Sequence, residues 1–176
     1  MTDKNVSIMN IGSMGYLPQV FKKIENEKKL NIVYLGGSIT MGCNATKTEL
    51  RYVDRSAKWW QTNFPDAEIS YFNAGIGATT SQFGVARVQE HVLDKQPDLV
   101  FVEFSVNDSS SPLFMETYES LVRRLLKAES VKAVVLINNL FYNTGTNAQG
   151  IHNAIGLHYD LPIVSVRNYI FPEIQL

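Results

Sequence analysis

Residues 98–106 read Asp-Leu-Val-Phe-Val-Glu-Phe-Ser-Val, a nearly continuous apolar run with one carboxylate inside it. A strand with one wet face alternates apolar and polar residues, whereas a run apolar at successive positions is buried on both faces and belongs in the middle of a parallel sheet. Shorter runs of the same kind occupy residues 32–35, 69–73, 131–137 and 161–166. Helical patterns separate them. Leu17, Val20, Phe21 and Ile24 recur at helical spacing with Pro18 in the first turn, and residues 52–63 form a second helix, ended by Phe64-Pro65. Phe83, Ala86, Arg87, Val92 and Leu93 mark a third before Pro97, and Phe114, Tyr118, Leu121, Val122, Leu125 and Leu126 line one face of a fourth. Residues 148–158 are the fifth. Parallel neighbours need long crossovers, so this alternation predicts an open α/β sheet covered by helices on both faces.

With 176 residues, 45% of them hydrophobic, the chain has enough material for one domain with a core, spanning residues 1–176, and too little for two. Sixteen basic against seventeen acidic residues leave no field to attract nucleic acid or an anionic membrane, and neither is expected as a partner. One cysteine cannot form an internal disulfide, and three histidines without zinc-site spacing predict no metal and no cofactor. Residues 1–14 lack the charged start and apolar stretch of a signal peptide or membrane span, so a cytoplasmic location is the default expectation. The first fifteen residues or so read as an arm that pairs with something or stays mobile. The Trp59-Trp60 pair reads as packing rather than a sugar platform.

Chemistry in open α/β sheets collects at the carboxyl ends of the strands. The first strand ends at Gly36-Gly37-Ser38, the second at Asn73-Ala74-Gly75-Ile76-Gly77, and the third at Ser105-Val106-Asn107-Asp108. A phosphate loop is excluded because Cys43, not lysine, follows Gly42, and the Gly-x-Ser-x-Gly elbow fails at Thr40. A dinucleotide fingerprint at Gly75 and Gly77 lacks its third glycine, which is Thr80. Ser38 taken alone could cap a helix, and Asn107 a turn; Asp108 reads as structural. Together, a hydroxyl, a glycine N–H and an asparagine amide are what acyl transfer requires.

In this order and on successive strands, the three blocks resemble the SGNH hydrolases, the GDSL-type esterase superfamily, in its carbohydrate-esterase-like branch. The resemblance runs from about Leu30 to the end of the chain. It implies Ser38 as nucleophile and first oxyanion donor, Gly77 as second donor and Asn107 as third. It implies a three-layer α/β/α sandwich with a flavodoxin-like, five-stranded parallel sheet in the order 2-1-3-4-5. The implied activity is hydrolysis of small, acetyl-type esters through an acyl-enzyme, with a small-molecule or carbohydrate ester as substrate.

Glu103 stands inside the most apolar strand, where a carboxylate is costly without a partner. The expected partner is a buried arginine, Arg87 first, then Arg123 or Arg124. Departures from the family pattern occur at both ends. Gly-Gly-Ser-Ile-Thr stands where the family often has Gly-Asp-Ser-Leu, and the C-terminal Asp-x-x-His block is missing. Val88, Gln149 and Ile155 precede His91, His152 and His158 by three positions, and all three histidines are expected at a surface or interface. Three readings follow: a C-terminal end that is incomplete, a base from a homo-oligomer or a complementing C-terminal segment, or a non-catalytic carbohydrate- or ester-binding module that retains the pocket. The first is the expectation. It carries a corollary, an apolar sheet surface left uncovered and hence self-association.

Overall fold

Residues 3–12 and 16–174 are described by the computed structural model, and their sheet has six strands. Five are parallel: β2 (Lys29–Gly36), β3 (Glu68–Gly75), β4 (Leu99–Glu103), β5 (Ala133–Asn138) and β6 (Ile163–Ser165). They lie side by side as β3-β2-β4-β5-β6, which is the expected 2-1-3-4-5 order. The sixth strand, β1 (Ile8–Asn10), corrects the count of five. It comes from the N-terminal arm and runs antiparallel to β6, with Ile8 opposite Val164. Without it β6 would present a bare edge of N–H and C=O groups. Asn10 fastens the arm, its Nδ2 donating to Asp160 Oδ1 at 3.1 Å and to Leu161 O at 2.9 Å.

The apolar run at 98–106 is strand only as far as Glu103, because the N–H groups of Asn107 and Asp108 both turn back to Phe104 O, at 3.0 and 2.9 Å. Along β4 the side chains alternate between two cores. Val100, Val102 and Phe104 face α4 (Ser81–His91), α5 (Pro112–Leu126) and α6 (Gln149–His158), which contribute Val88, Tyr118, Leu121, Leu125 and Ile155. Leu99 and Phe101 face α1 (Leu17–Glu27) and α3 (Tyr52–Asn63), which contribute Val20, Ile24, Val53 and Trp60. The tryptophan pair is divided: Trp60 is buried in this core, and Trp59 lies edge-on to it and exposed. Two further helices, α2 (Ser38–Met41) and α7 (Val166–Ile174), follow β2 and β6 directly.

On the α1/α3 face the helices cover the sheet only in part. Tyr34, Phe101, Val135, Ile137 and Val164 form the floor of an open groove of about 540 Å³. The rings of Tyr34 and Phe101 stack there at 4.9 Å, and Ile39, Gly42 and Cys43, in and just after α2, form part of the rim. An apolar floor of this kind favours association. Sedimentation velocity should show a sedimentation coefficient that rises with protein concentration, and Val164→Lys, at a half-buried floor position, should suppress the rise. Concentration-independent sedimentation of the parent chain would count against an associating groove.

Candidate active site

Gly36 and Gly75 are paired in register at the ends of β2 and β3, and both face α2. A Cβ on Gly75 would overlap Met41 N and lie 2.6 Å from the Thr40 carbonyl carbon; one on Gly36 would overlap Thr40 Oγ1 and lie 2.6 Å from Glu103 O. No real Cβ tolerates such contacts, so glycine is required by close backbone approach. Polar bonds hold the helix in that position. Asn73 accepts the Gly75 N–H at 2.9 Å and donates to Thr40 O at 2.8 Å, while Thr40 Oγ1 meets the Tyr52 hydroxyl at 2.8 Å. Arg87 reaches from α4 to the strand-end carbonyls, with Nη2 to Gly36 O at 3.0 Å and Nη1 to Ala74 O at 2.7 Å. Burial pushes its guanidinium down to about 10.

Three loops meet at Gly37. A Cβ there would overlap Asn107 Oδ1 and come within 3.3 Å of Thr79 O, so the loop after β4 and the loop after β3 both close on the residue before Ser38. Ser38 is half-buried at the first position of α2, where its N–H has no acceptor within the helix. Gly77 sits across from the Met41 side chain, 3.4 Å from Cε for a notional Cβ. The next residue, Ala78, adopts a left-handed φ of 57°, a conformation that costs a non-glycine residue about 1 kcal/mol. Among the described residues, the N–H groups of Ser38 and Gly77 and the Nδ2 of Asn107 bond to no acceptor, and Ser38 Oγ has no hydrogen-bonding partner. Asn107 Oδ1 is buried and unpaired.

The expected Glu103–arginine pair does not form. Glu103 is fully buried, but Arg87, Arg123 and Arg124 belong to α4 and α5 on the opposite face of the sheet from Leu99, Phe101 and Glu103. Its Oε1 instead accepts from Ser105 Oγ at 3.1 Å, and Oε2 has no partner. Burial, with a smaller push from the Asp108 charge, raises this carboxyl from its ordinary 4.5 to about 7.

The histidines are also distributed differently from expectation. His158 is exposed, and His91 is half-buried with Nδ1 3.2 Å from Arg87 Nη1. His152, expected at a surface, is wholly buried, because its ring stacks on Tyr118 at 3.6 Å and its Nε2 lies 3.0 Å from Asp108 Oδ2. Burial lowers its pKa against the pull of Asp108, and a neutral imidazole in this position bonds the carboxylate by carrying its proton on Nε2. Nδ1 is buried without a partner, which places His152 out of hydrogen-bonding contact with Ser38. The Asp108–His152 pair is the feature that sequence reasoning missed. It joins positions 44 apart, and no local spacing signals it. Among the described residues, no group of three or more His, Cys, Asp or Glu side chains could hold a metal ion, and no helix is long and apolar enough to cross a membrane.

The model of the GDSL-like lipase/acylhydrolase family matches residues 34–162. A solved two-domain esterase active on acetylated mannans, co-crystallised with mannopentaose, is 47% identical with a TM-score of 0.96, over 99% of this chain and 48% of that one. The chain thus spans about half the length of that esterase. A catalytic mutant of an acetylxylan esterase from Geobacillus stearothermophilus matches with a TM-score of 0.69 at 18% identity, over 83% of this chain and 80% of its own. AlinE4, an SGNH-hydrolase family esterase, matches with a TM-score of 0.63 at 21% identity, over 77% of this chain and 75% of its own. At these identities the last two speak for the fold alone. No curated protein matches the chain.

Two outcomes follow from the geometry. Gly75→Ala should lose about 1–3 kcal/mol in urea denaturation by overpacking against α2. Gly150→Ala, with nothing within 4 Å of its notional Cβ in α6, should gain about 0.5–1 kcal/mol. For Glu103, the folded pKa lies above the unfolded one, so its contribution is fully present below pH 4.5 and is lost as pH rises through about 7. The loss amounts to about 3 kcal/mol. Glu103→Gln should flatten that part of the stability profile, and a variant with the parent's slope would remove Glu103 as its source.

Proposed function

The chain belongs to the GDSL-like lipase/acylhydrolase family, and on that premise we propose that it carries the nucleophile and oxyanion site of a serine esterase that removes small acyl groups, acetyl above all, from carbohydrates. The observation that carries this reading is the meeting of three strand-end loops at Gly37, which gathers a free hydroxyl and three uncommitted N–H donors at one end of the sheet. The mannan-active neighbour supports the substrate class.

In this reading Ser38 Oγ attacks the ester carbonyl carbon, and the carbonyl oxygen takes the electron pair. The Ser38 N–H, the Gly77 N–H and the Asn107 Nδ2 hold the resulting oxyanion. Collapse breaks the bond to the sugar oxygen, which leaves as the hydroxyl by taking the proton removed from Ser38, and acetyl stays on Ser38. Water, losing a proton to the same base, then attacks the acyl carbon, and acetate leaves as Ser38 Oγ takes that proton back. Each donor contributes about 3–4 kcal/mol to the tetrahedral state. The Ser38 proton needs an acceptor, and none of His91, His152 and His158 hydrogen-bonds to that hydroxyl. A base supplied over the groove would reach the site along its α2 rim.

Hydrolysis of 4-nitrophenyl acetate by the chain should be slow and should disappear in Ser38→Ala. Added imidazole should raise the Ser38-dependent part of the rate by standing in for the base, with Ser38→Ala giving the background. Asn107→Ala should lower that part roughly 100- to 1,000-fold. Equal rates for parent and Ser38→Ala, with and without imidazole, would sink the esterase reading.

A further inference from the structure

Two of the three proposed oxyanion donors, Gly77 and Asn107, lie on different loops, and one buried carboxylate is bonded across both. Asp108 directly follows Asn107, and its Oδ1 accepts the N–H of Ser81 at 2.9 Å. Ser81 is the first residue of α4, at the far end of the short loop that carries Gly77. The other oxygen, Oδ2, meets His152 Nε2 at 3.0 Å on α6. Neither Asp108 nor His152 has a side chain open to solvent. The imidazole is itself immobilised, its plane within 7° of the Tyr118 ring, and Ser81 Oγ is tied to Thr117 Oγ1 at 2.9 Å on the same helix, α5.

We propose that Asp108 and His152 are positioning residues for the oxyanion site: the carboxylate sets the spacing between the Gly77 and Asn107 loops, and the imidazole locks the carboxylate's orientation. The inference rests on the esterase reading for its catalytic consequence, though the tether itself does not. A buried polar pair of this kind adds little net stability over an apolar pair of equal volume. What it adds is direction, since each oxygen accepts from one donor on one element. Donors misplaced by about 1 Å cost a reaction on the order of 100-fold in rate. Neither side chain hydrogen-bonds to Ser38, so both act through the loops.

The test compares the parent chain with Asp108→Ala, Asp108→Asn and His152→Phe. The asparagine keeps an oxygen for the Ser81 N–H and can donate to the other imidazole tautomer. The phenylalanine keeps the ring on Tyr118 and loses only the bond. Amide hydrogen exchange is read over residues 76–81 and 104–109, and kcat and KM for 4-nitrophenyl acetate are read in the presence of imidazole. Asp108→Ala and His152→Phe should speed exchange in both segments and lower kcat 10- to 100-fold with KM within threefold, while Asp108→Asn stays within threefold of the parent in all three. Native exchange in both segments of a folded His152→Phe protein overturns the proposal, and so does loosened exchange with unchanged kcat. If Ser38→Ala proves as active as the parent, the esterase reading fails separately, and exchange alone then decides the tether.

Discussion

Parallel strands end in carbonyls that point past the last rung of the sheet, and at the end of the sheet that leads to Ser38 two of those carbonyls are taken up by a single buried guanidinium. Arg87 gives one N–H group to Gly36 O and another to Ala74 O, which closes the ends of β2 and β3 together. No carboxylate bonds to it among the described residues; peptide dipoles offset part of the desolvation, and the rest shows as a pKa pushed down to about 10. Because Arg87 belongs to α4, the segment from Gly75 to Thr80 is anchored at both ends, by the strand before it and by the helix after it. The glycines at 36 and 75 then let α2 settle against the same strand ends. Remove that close approach and Ser38 has no fixed place.

Glu103 shows what the alternation of a strand decides. Its strand-mates Leu99 and Phe101 face α1 and α3, whereas the arginines considered as partners come from helices on the other face. Proximity in sequence pattern could not cure a separation by the thickness of the sheet. With only Ser105 as a side-chain donor, the carboxyl resolves its burial by holding a proton up to near-neutral pH. The cost of burying a charge was legible from the residues. The remedy was not, because it depends on which face each helix covers.

The same distinction separates what could be read from the sequence from what could not. Strand order, helix faces and the three strand-end blocks rest on periodicity and on residues adjacent in the chain, so glycine followed by serine, or asparagine after an apolar run, carries its own signal. Leu121, Val122 and Leu125 appear on the apolar face that their spacing assigns, and Ser38, Gly37 and Asn107 lie on loops that close on one another. β1 was invisible because three residues, Ile8 to Asn10, become a strand only by finding the edge of β6. His152 was misplaced for a related reason. A lone histidine on a helix looks like surface until a stacked tyrosine and a carboxylate 44 residues away are known.

A carboxyl that titrates near pH 7 is what a general base needs, and Glu103 has that property within one residue pair of the strand end that leads to Ser38, since it is in register with Gly36. Geometry still excludes it. Its one bonded oxygen is engaged by Ser105, the other is sealed without a partner, and Ser38 Oγ is bonded to neither. A base must reach the proton it removes, and a shifted pKa without that reach reports the surroundings of the carboxyl, chiefly its burial, rather than a catalytic role. The site is therefore divided by physical task. Dipoles that stabilise an oxyanion must be rigid, and in the proposed reading they are backbone and amide groups held by strand ends, Arg87 and the Asp108–His152 pair. Proton transfer asks instead for a titrating group in contact with Ser38, and the open groove beside α2 is the face of the fold on which such a group could be brought to it.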